Sequence, residues 1–393
     1  MSDIQKVLVV LSLLSETCSA NLIPLQQTPS RPSSSANAPS HALPVLRKDF
    51  LSLLTLVYNL STKIALTLRP SEPAYTASLT PIQELTKHIS SLTTCATLFD
   101  EHGVTLAKEV RQSAQDVCEA AKALSQTFIT ITKNSGESSS SSSGGNGEDY
   151  LMRTGAIHEV VEKIKRELSE DNVAAVRKRY AMDVGLLEDT VKEVAEMIED
   201  SEGSEDDEDD EGFEDEDFDD ELGELGLGST KRLSTAEVER VKKIQPLFRM
   251  STLLHKRIML DLLKKGHTYP SDYSQRADSL LETSHSLLLA HEEVVAVLYA
   301  PQKPSTISEA IAELASCIVQ AQNTLIKQKL LPPSRDPGDI AELEKMSAAA
   351  ISGDQPTGAK KERDVRKWFD TCFEQLGKLC GSIVDNVASD PVS

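Results

Sequence analysis

Apolar side chains recur at three- and four-residue steps along most of this chain, which is the period of one helix face. The first such run predicts a helix from about Asp3 to Ile23. A second fits Val45 to Leu68, with Leu46, Phe50, Leu53, Leu54, Val57, Leu60 and Ile64 in step, and Pro70 and Pro73 stop it. A third is expected from about Thr80, as N-cap with Pro81 in the first turn, to Phe99. Gly103 breaks the chain before the cleanest stripe of all: Val104, Ala107, Val110, Ala114, Val117, Ala121, Leu124, Phe128 and Ile131. Small residues alternate with large ones there, so a neighbouring helix can approach closely.

The period resumes at Tyr150 and runs through Val176, Tyr180, Leu187 and Val194 to Ile198, with a kink or break expected at Gly155 or Gly185. Later runs predict helices over residues 236–265, 273–299, 305–330 and 360–387, and a short one over 338–351. Ser234 or Thr235 caps the first of these, Pro246 is expected to kink it, and Gly266 closes it. In the last, Trp368 is read as a core anchor. No stretch alternates like a strand. The fold class expected is all-α: two antiparallel helical bundles joined by a disordered acidic linker.

Composition sharpens the division into domains. Aromatic residues are only 4% of the chain, and the apolar load falls on aliphatic side chains, as in bundles rather than sandwiches. Residues 199–224 hold eighteen acidic side chains and no Lys or Arg, leaving 44 acidic against 41 basic residues elsewhere. Such a block cannot bury enough apolar surface to offset its ordering entropy and self-repulsion. The domains expected are an N-terminal bundle over 1–199, a disordered acidic linker over 200–233 and a C-terminal bundle over 234–393. Pro/Ser-rich and Ser/Gly-rich inserts, near 27–44 and at 135–147, are expected to stay outside the first core.

Candidate chemistry is sparse. The six cysteines, Cys18, Cys95, Cys118, Cys317, Cys372 and Cys380, form no C-x-x-C pair; they fit a reducing compartment and give no metal site. The run Val7 to Leu14 could pass for a signal-peptide core, but its weak basic flank and helical period favour a buried first helix. No apolar stretch is read as approaching the ~20 residues that span a bilayer, so no membrane partner is expected. There is no phosphate-binding glycine loop, H-E-x-x-H or G-x-S-x-G. His285 and His291 share no helix face well, and satisfied histidines are the favoured reading over a metal pair. No enzyme activity and no cofactor are expected.

Two charged features remain as candidate partner sites. The helix after the acidic block carries Arg240, Lys242, Lys243, Arg249, Lys256, Arg257, Lys264 and Lys265. Arg249, Lys256 and Arg257 are candidate contacts, though an ordinary exposed basic face is favoured over nucleic-acid binding, because the folded charge is near neutral. Within the acidic block, Glu205, Asp206, Asp207, Asp209 and Asp210 could hold a basic partner, with Phe213 and Phe218 as apolar anchors. Ser201 and Ser204 are candidate phosphorylation sites in an acidic context.

Several stretches, taken in order, carry a likeness. They are Gly103-Val104-Thr105-Leu106 with Val110 and Ala123-Leu124, then the acidic block, then Ile244-Gln245-Pro246-Leu247 and Leu253-Leu254-His255-Lys256-Arg257-Ile258. Val294 to Pro301 and the helix around Trp368 follow. In this layout the chain resembles the cyclin-D-interacting (cyclin-D-binding) protein family. The resemblance implies two helical bundles around an acidic linker and a cytoplasmic and nuclear location. It also implies a non-enzymatic cell-cycle or transcription regulator that binds a cyclin or helix-loop-helix transcription factors. The two inserts depart from the animal members, and no basic helix-loop-helix DNA reader is apparent, so direct DNA binding is not expected. The rival reading is an acidic chaperone for histones or other basic nuclear proteins, working through the linker.

Overall fold

The computed structural model describes residues 1–29, 41–134, 148–202, 232–267, 269–332 and 357–389. Among them there are helices and no strands. They form two compact units, Met1–Ala175 and Val176–Ser393.

The first unit is a closed ring of five helices: α1 (Asp3–Gln26), α2 (Leu43–Thr67), α3 (Tyr75–Thr97), α4 (Val104–Asn134) and α5 (Asp149–Glu167). α1 lies between α3 and α4, α2 lies between α3 and α5, and α5 closes the ring on α4. The core they share includes Val7, Leu11, Phe50, Ile82, Phe99, Val117, Phe128 and Ile157, each almost wholly buried. The α4 stripe is wider than its sequence period indicates. Leu106, Arg111, Cys118, Ser125 and Thr132 add a second buried row, because this helix packs on α1, α3 and α5 together.

Residues 98–102 form a 3₁₀ turn before Gly103, and the entry to α4 shows why a glycine stands there. Gly103 has φ +118°, in the region that disfavours a side chain. A Cβ would also fall within 2.5 Å of the Asn172 side chain, whose Oδ1 accepts the Leu106 amide at 2.8 Å and caps α4.

Several boundaries differ from expectation. α3 starts at Tyr75, with Ala74 in the cap position, so Pro81 sits in its second turn. The carbonyl that Pro81 leaves without its helical partner is that of Ala77, an exposed residue open to solvent. The long helical region after Tyr150 breaks at residues 168–171, not at a glycine; Gly155 and Gly185 lie inside helices with open space around them. There, Leu168 turns extended and Asp171 Oδ1 accepts the Ala174 amide.

α1 and α2 are also long and apolar enough, by length and composition, to cross a membrane, contrary to the sequence expectation. Serine and threonine interruptions hid this. In the structure both are bundle helices with fully buried stripes.

The second unit comprises α6 (Asn172–Glu202), α7 (Thr235–Arg257), α8 (Ser271–Ala277), α9 (Ser279–Leu298), α10 (Pro304–Lys327) and α11 (Thr357–Ser389). α9 packs on α10, α10 on α11, and α11 on α7. α7 runs through Pro246 unbroken and ends in a π-turn, Ile258–Leu262, followed by Gly266 at φ +69°. The expected 273–299 helix is two, α8 and α9, divided at Asp278. Trp368 is only half-buried; Phe369 beside it takes the core position. The segment 338–351 lies outside the described residues.

The boundary at Ala175 corrects the expected 1–199 bundle. α6 begins in the first unit, but its stripe of Val176, Tyr180, Val184, Leu187 and Val194 is buried within the second. Polar groups bind it there. Asp183 accepts from Ser284 of α9 at 2.7 Å, and Glu193 accepts from Tyr299 at 2.7 Å.

Candidate partner surface and buried polar core

Helix α7 organises the second unit from two sides. Its inner side carries Ser251 and His255, both almost fully buried, which face His291 of α9 and Tyr180 of α6. Ser251 Oγ and His291 Nε2 share a hydrogen bond of 2.7 Å, and His255 Nδ1 is 3.2 Å from the Ser251 carbonyl. The His255 ring stacks on Tyr180 at 5.5 Å.

Burial pushes the His255 pKa down to about 4, with bonding to the Ser251 carbonyl and the nearby Asp183 opposing it. Burial, with a smaller contribution from His255, takes His291 to about 3. Both imidazoles are therefore neutral at pH 7. A Ser–His pair at this distance invites comparison with a nucleophile and its base. Here the pair is wholly buried, the near carboxylate Asp183 bonds to Ser284, and His291 Nδ1 has no hydrogen-bond partner. The cluster works as an interhelical polar core holding α6, α7 and α9 in register.

The outer side of α7 presents Pro246, Arg249 and Leu253 to solvent, at helical steps of three and four. Two neighbours border this row. On the α6 side, Lys256 pairs with Glu188 at 2.6 Å. On the α11 side, the Arg257 guanidinium lies over the Trp368 ring at 4.8 Å and pairs with Asp261 at 2.8 Å. Lys242 pairs with Glu239 at 2.8 Å. Much of the basic charge read from the sequence is thus balanced by acids of the same unit. Arg249 stays exposed between two apolar residues.

The start of α7 is tied to the α9–α10 turn. Glu237 Oε2 accepts the Ser234 amide at 2.8 Å, and its Oε1 accepts the Gln302 amide at 2.7 Å. Burial alone would raise the Glu237 carboxyl, but these hydrogen bonds outweigh it and hold its pKa below the ordinary value. Gln302 also accepts from buried Arg240 at 3.1 Å and donates to the Leu298 carbonyl at 2.7 Å.

In the first unit the main charged node is Arg111. It binds Asp100 through two parallel bonds of 3.0 and 2.6 Å and donates to the Pro24 and Gln27 carbonyls at the end of α1. Sequence reading missed Arg111, Asp183, His255 and Gln302. A charge or imidazole inside an apolar stripe was the available signal. All six cysteines are buried and unbridged, and burial pushes the Cys18 and Cys118 thiols to about 12 and 11, out of the reactive range.

Of the sequence candidates, Arg249, Lys256 and Arg257 fall together on or beside the outer row of α7. Ser201 lies in the last turn of α6, its hydroxyl donating to the Met197 carbonyl at 2.8 Å. Glu205, Asp206, Asp207, Asp209, Asp210, Phe213, Phe218 and Ser204 lie outside the described residues. Among the described residues no three His, Cys, Asp or Glu side chains group as a metal site.

These features define an all-helical protein of two units, with mixed apolar and charged surfaces and no solvent-open catalytic grouping among the groups described above. Two family models match it in order. The model for Grap2 and cyclin-D-interacting, N-terminal, covers residues 49–200, and that for Grap2 and cyclin-D-interacting, C-terminal, covers 204–323. Together they span well over half of the chain, and the chain belongs to this family. It is similar to the Cyclin-D1-binding protein 1 homolog of Xenopus laevis, at 24% identity over 230 residues, 58% of this chain and 63% of that protein. It is similar also to Cyclin-D1-binding protein 1 of Mus musculus, at 23% over 223 residues, 56% of this chain and 59% of that one. The match thus spans less than two thirds of either relative.

Proposed function

We propose that this chain is a non-enzymatic protein-binding regulator of the cell cycle or of transcription, working in the cytoplasm and nucleus. Its partner is a D-type cyclin or a helix-loop-helix factor that docks on the outer face of α7. The observation that carries this reading is the ordered match to both family models, with relatives named for binding cyclin D1. The α7 face supports it locally. Arg249 flanked by Pro246 and Leu253, with Arg257 on Trp368 beside them, combines the apolar and arginine anchors typical of interface centres.

The test is calorimetric titration of a purified D-type cyclin, and separately of a helix-loop-helix domain, into the full-length protein. Deleting residues 204–228 should leave binding intact. The double substitution Arg249→Glu/Leu253→Glu should weaken it by about 2 kcal/mol or more. Failure of both partners to bind overturns the reading. So does binding that is lost with the acidic block yet indifferent to the α7 substitutions, which is the behaviour of an acidic chaperone.

A further inference from the structure

Ser234 stands just before α7, and residues 232–234 are non-helical. Its backbone is extended, at φ −68° and ψ 159°, and its side chain is exposed. Arg232, two positions earlier, is exposed too, and Lys231 precedes it in sequence. An extended, exposed hydroxyl with cations two and three residues before it suits a kinase cleft whose carboxylates select basic substrates. The hydroxyl also has a defined task. Ser234 Oγ lies 2.9 Å from Glu237 Oε2, and the Ser234 amide bonds the same carboxylate at 2.8 Å. Both bonds run to the Glu237 carboxylate, which forms the Glu side of a capping box.

We propose that Ser234 is a phosphorylation site for an arginine-directed Ser/Thr kinase, and that the phosphate there drives Glu237 off both the α7 cap and the Gln302 amide. The reaction is ordinary phosphoryl transfer. Ser234 Oγ forms the new O–P bond to the γ-phosphorus of ATP, the bond to the ADP oxygen breaks, and the serine proton passes to the kinase base. The product brings about −1.5 to −2 charge beside a carboxylate, and the ester oxygen has no proton left to donate to it. The phosphate oxygens can accept from the amides of the first α7 turn, where the helix dipole favours them. Glu237 then swings away, and the Gln302 amide loses its acceptor. The mark is thereby felt in the α9–α10 turn, sixty-odd residues along the chain. The site does not depend on the partner reading above.

The test treats the full-length protein with the catalytic domain of an arginine-directed kinase and Mg-ATP, then maps the phosphate by fragment mass spectrometry. Phosphate is expected on Ser234, with the rate falling about tenfold in Arg232→Ala. In the modified protein, hydrogen exchange at the Gln302 amide should quicken by about tenfold, while Ser234→Ala treated in the same way should show no change. Phosphate on Thr235 in place of Ser234, or an unaltered rate in Arg232→Ala, overturns the site. Full modification of Ser234 with unaltered Gln302 exchange overturns the coupling.

Discussion

The two units differ in where most of their buried hydroxyls bond. In the first, buried hydroxyls bond back to their own helix: Ser61 to the Tyr58 carbonyl, Ser78 to Tyr75, Ser125 to Lys122 and Thr154 to Tyr150. None of those four bonds joins one helix to another; the cross-helix bonds of this unit come from other groups, such as Arg111 to the end of α1 and Thr62 with His158. In the second, the buried polar groups reach across. Ser284 bonds Asp183, Ser251 bonds His291, and Thr252 donates to the Leu187 carbonyl. The core of the first unit rests mainly on packing of aliphatic and phenyl groups. The other adds directional bonds, which fix register and couple its helices to proton and charge.

That contrast can be broken or sharpened by measurement. The largest effect is expected in the first unit. Phe128→Ala, at a fully buried site, should cost about 3–5 kcal/mol in urea unfolding, with no dependence on pH between 5 and 7. Acid should act most strongly on the second unit, although burial also lowers the His102 and His158 values in the first. His255 and His291 have folded values near 4 and 3, against about 6.5 when unfolded. The unfolded chain therefore takes up the protons first. Their contribution is complete above pH 6.5 and falls as pH drops toward the folded values. From pH 7 to 5 the loss is about 2 kcal/mol for each imidazole. Trp368 is the only tryptophan and lies in this unit, so its fluorescence follows that unfolding alone. Hydrogen exchange in α1–α5 should change far less over the same range. Equal acid loss in both units would remove the distinction.

Smaller effects separate two kinds of glycine. Gly103→Ala should destabilise the first unit by roughly 1–3 kcal/mol, since it forces a positive φ and displaces the Asn172 cap. Gly155→Ala, within α5 and facing open space, should stabilise the same unit by about 0.5–1 kcal/mol. The smallest effect is expected at the rim of the second unit. Lys256→Ala breaks an exposed pair with Glu188 and should change stability by no more than about 0.5 kcal/mol.

The helices were legible wherever the buried residues form one regular apolar stripe, as along α2 and α10. Legibility failed where tertiary partners decided the outcome. The α5–α6 break falls at Ser169–Asp171 because Asp171 and Asn172 cap two different helices, and nothing in the local period marks it. Glycines drew attention to Gly155 and Gly185, yet the positive φ angles fall at Gly103 and Gly266. Trp368 was read inward because it is the largest apolar side chain on its helix, but a guanidinium 4.8 Å away covers its face. At the candidate surface, sequence supplied the cations but could not show which acids neutralise them. Glu188 lies 68 positions before Lys256. Arg249 emerges as the exposed one of the three candidates only when those pairings are seen.

The helix α6 carries one last consequence. Its residues fall within the span of the N-terminal family model, which ends at 200, yet most of its buried stripe is enclosed among helices that follow the acidic block. A protease that nicks the chain inside that block would therefore yield two fragments that remain clasped. The longer-range tether would be severed while Asp183, Glu188 and Glu193 still gripped Ser284, Lys256 and Tyr299. Expressed as separate halves divided at the same place, the pieces should find each other in solution. Divided at Ala175 instead, they should have nothing of α6 to exchange.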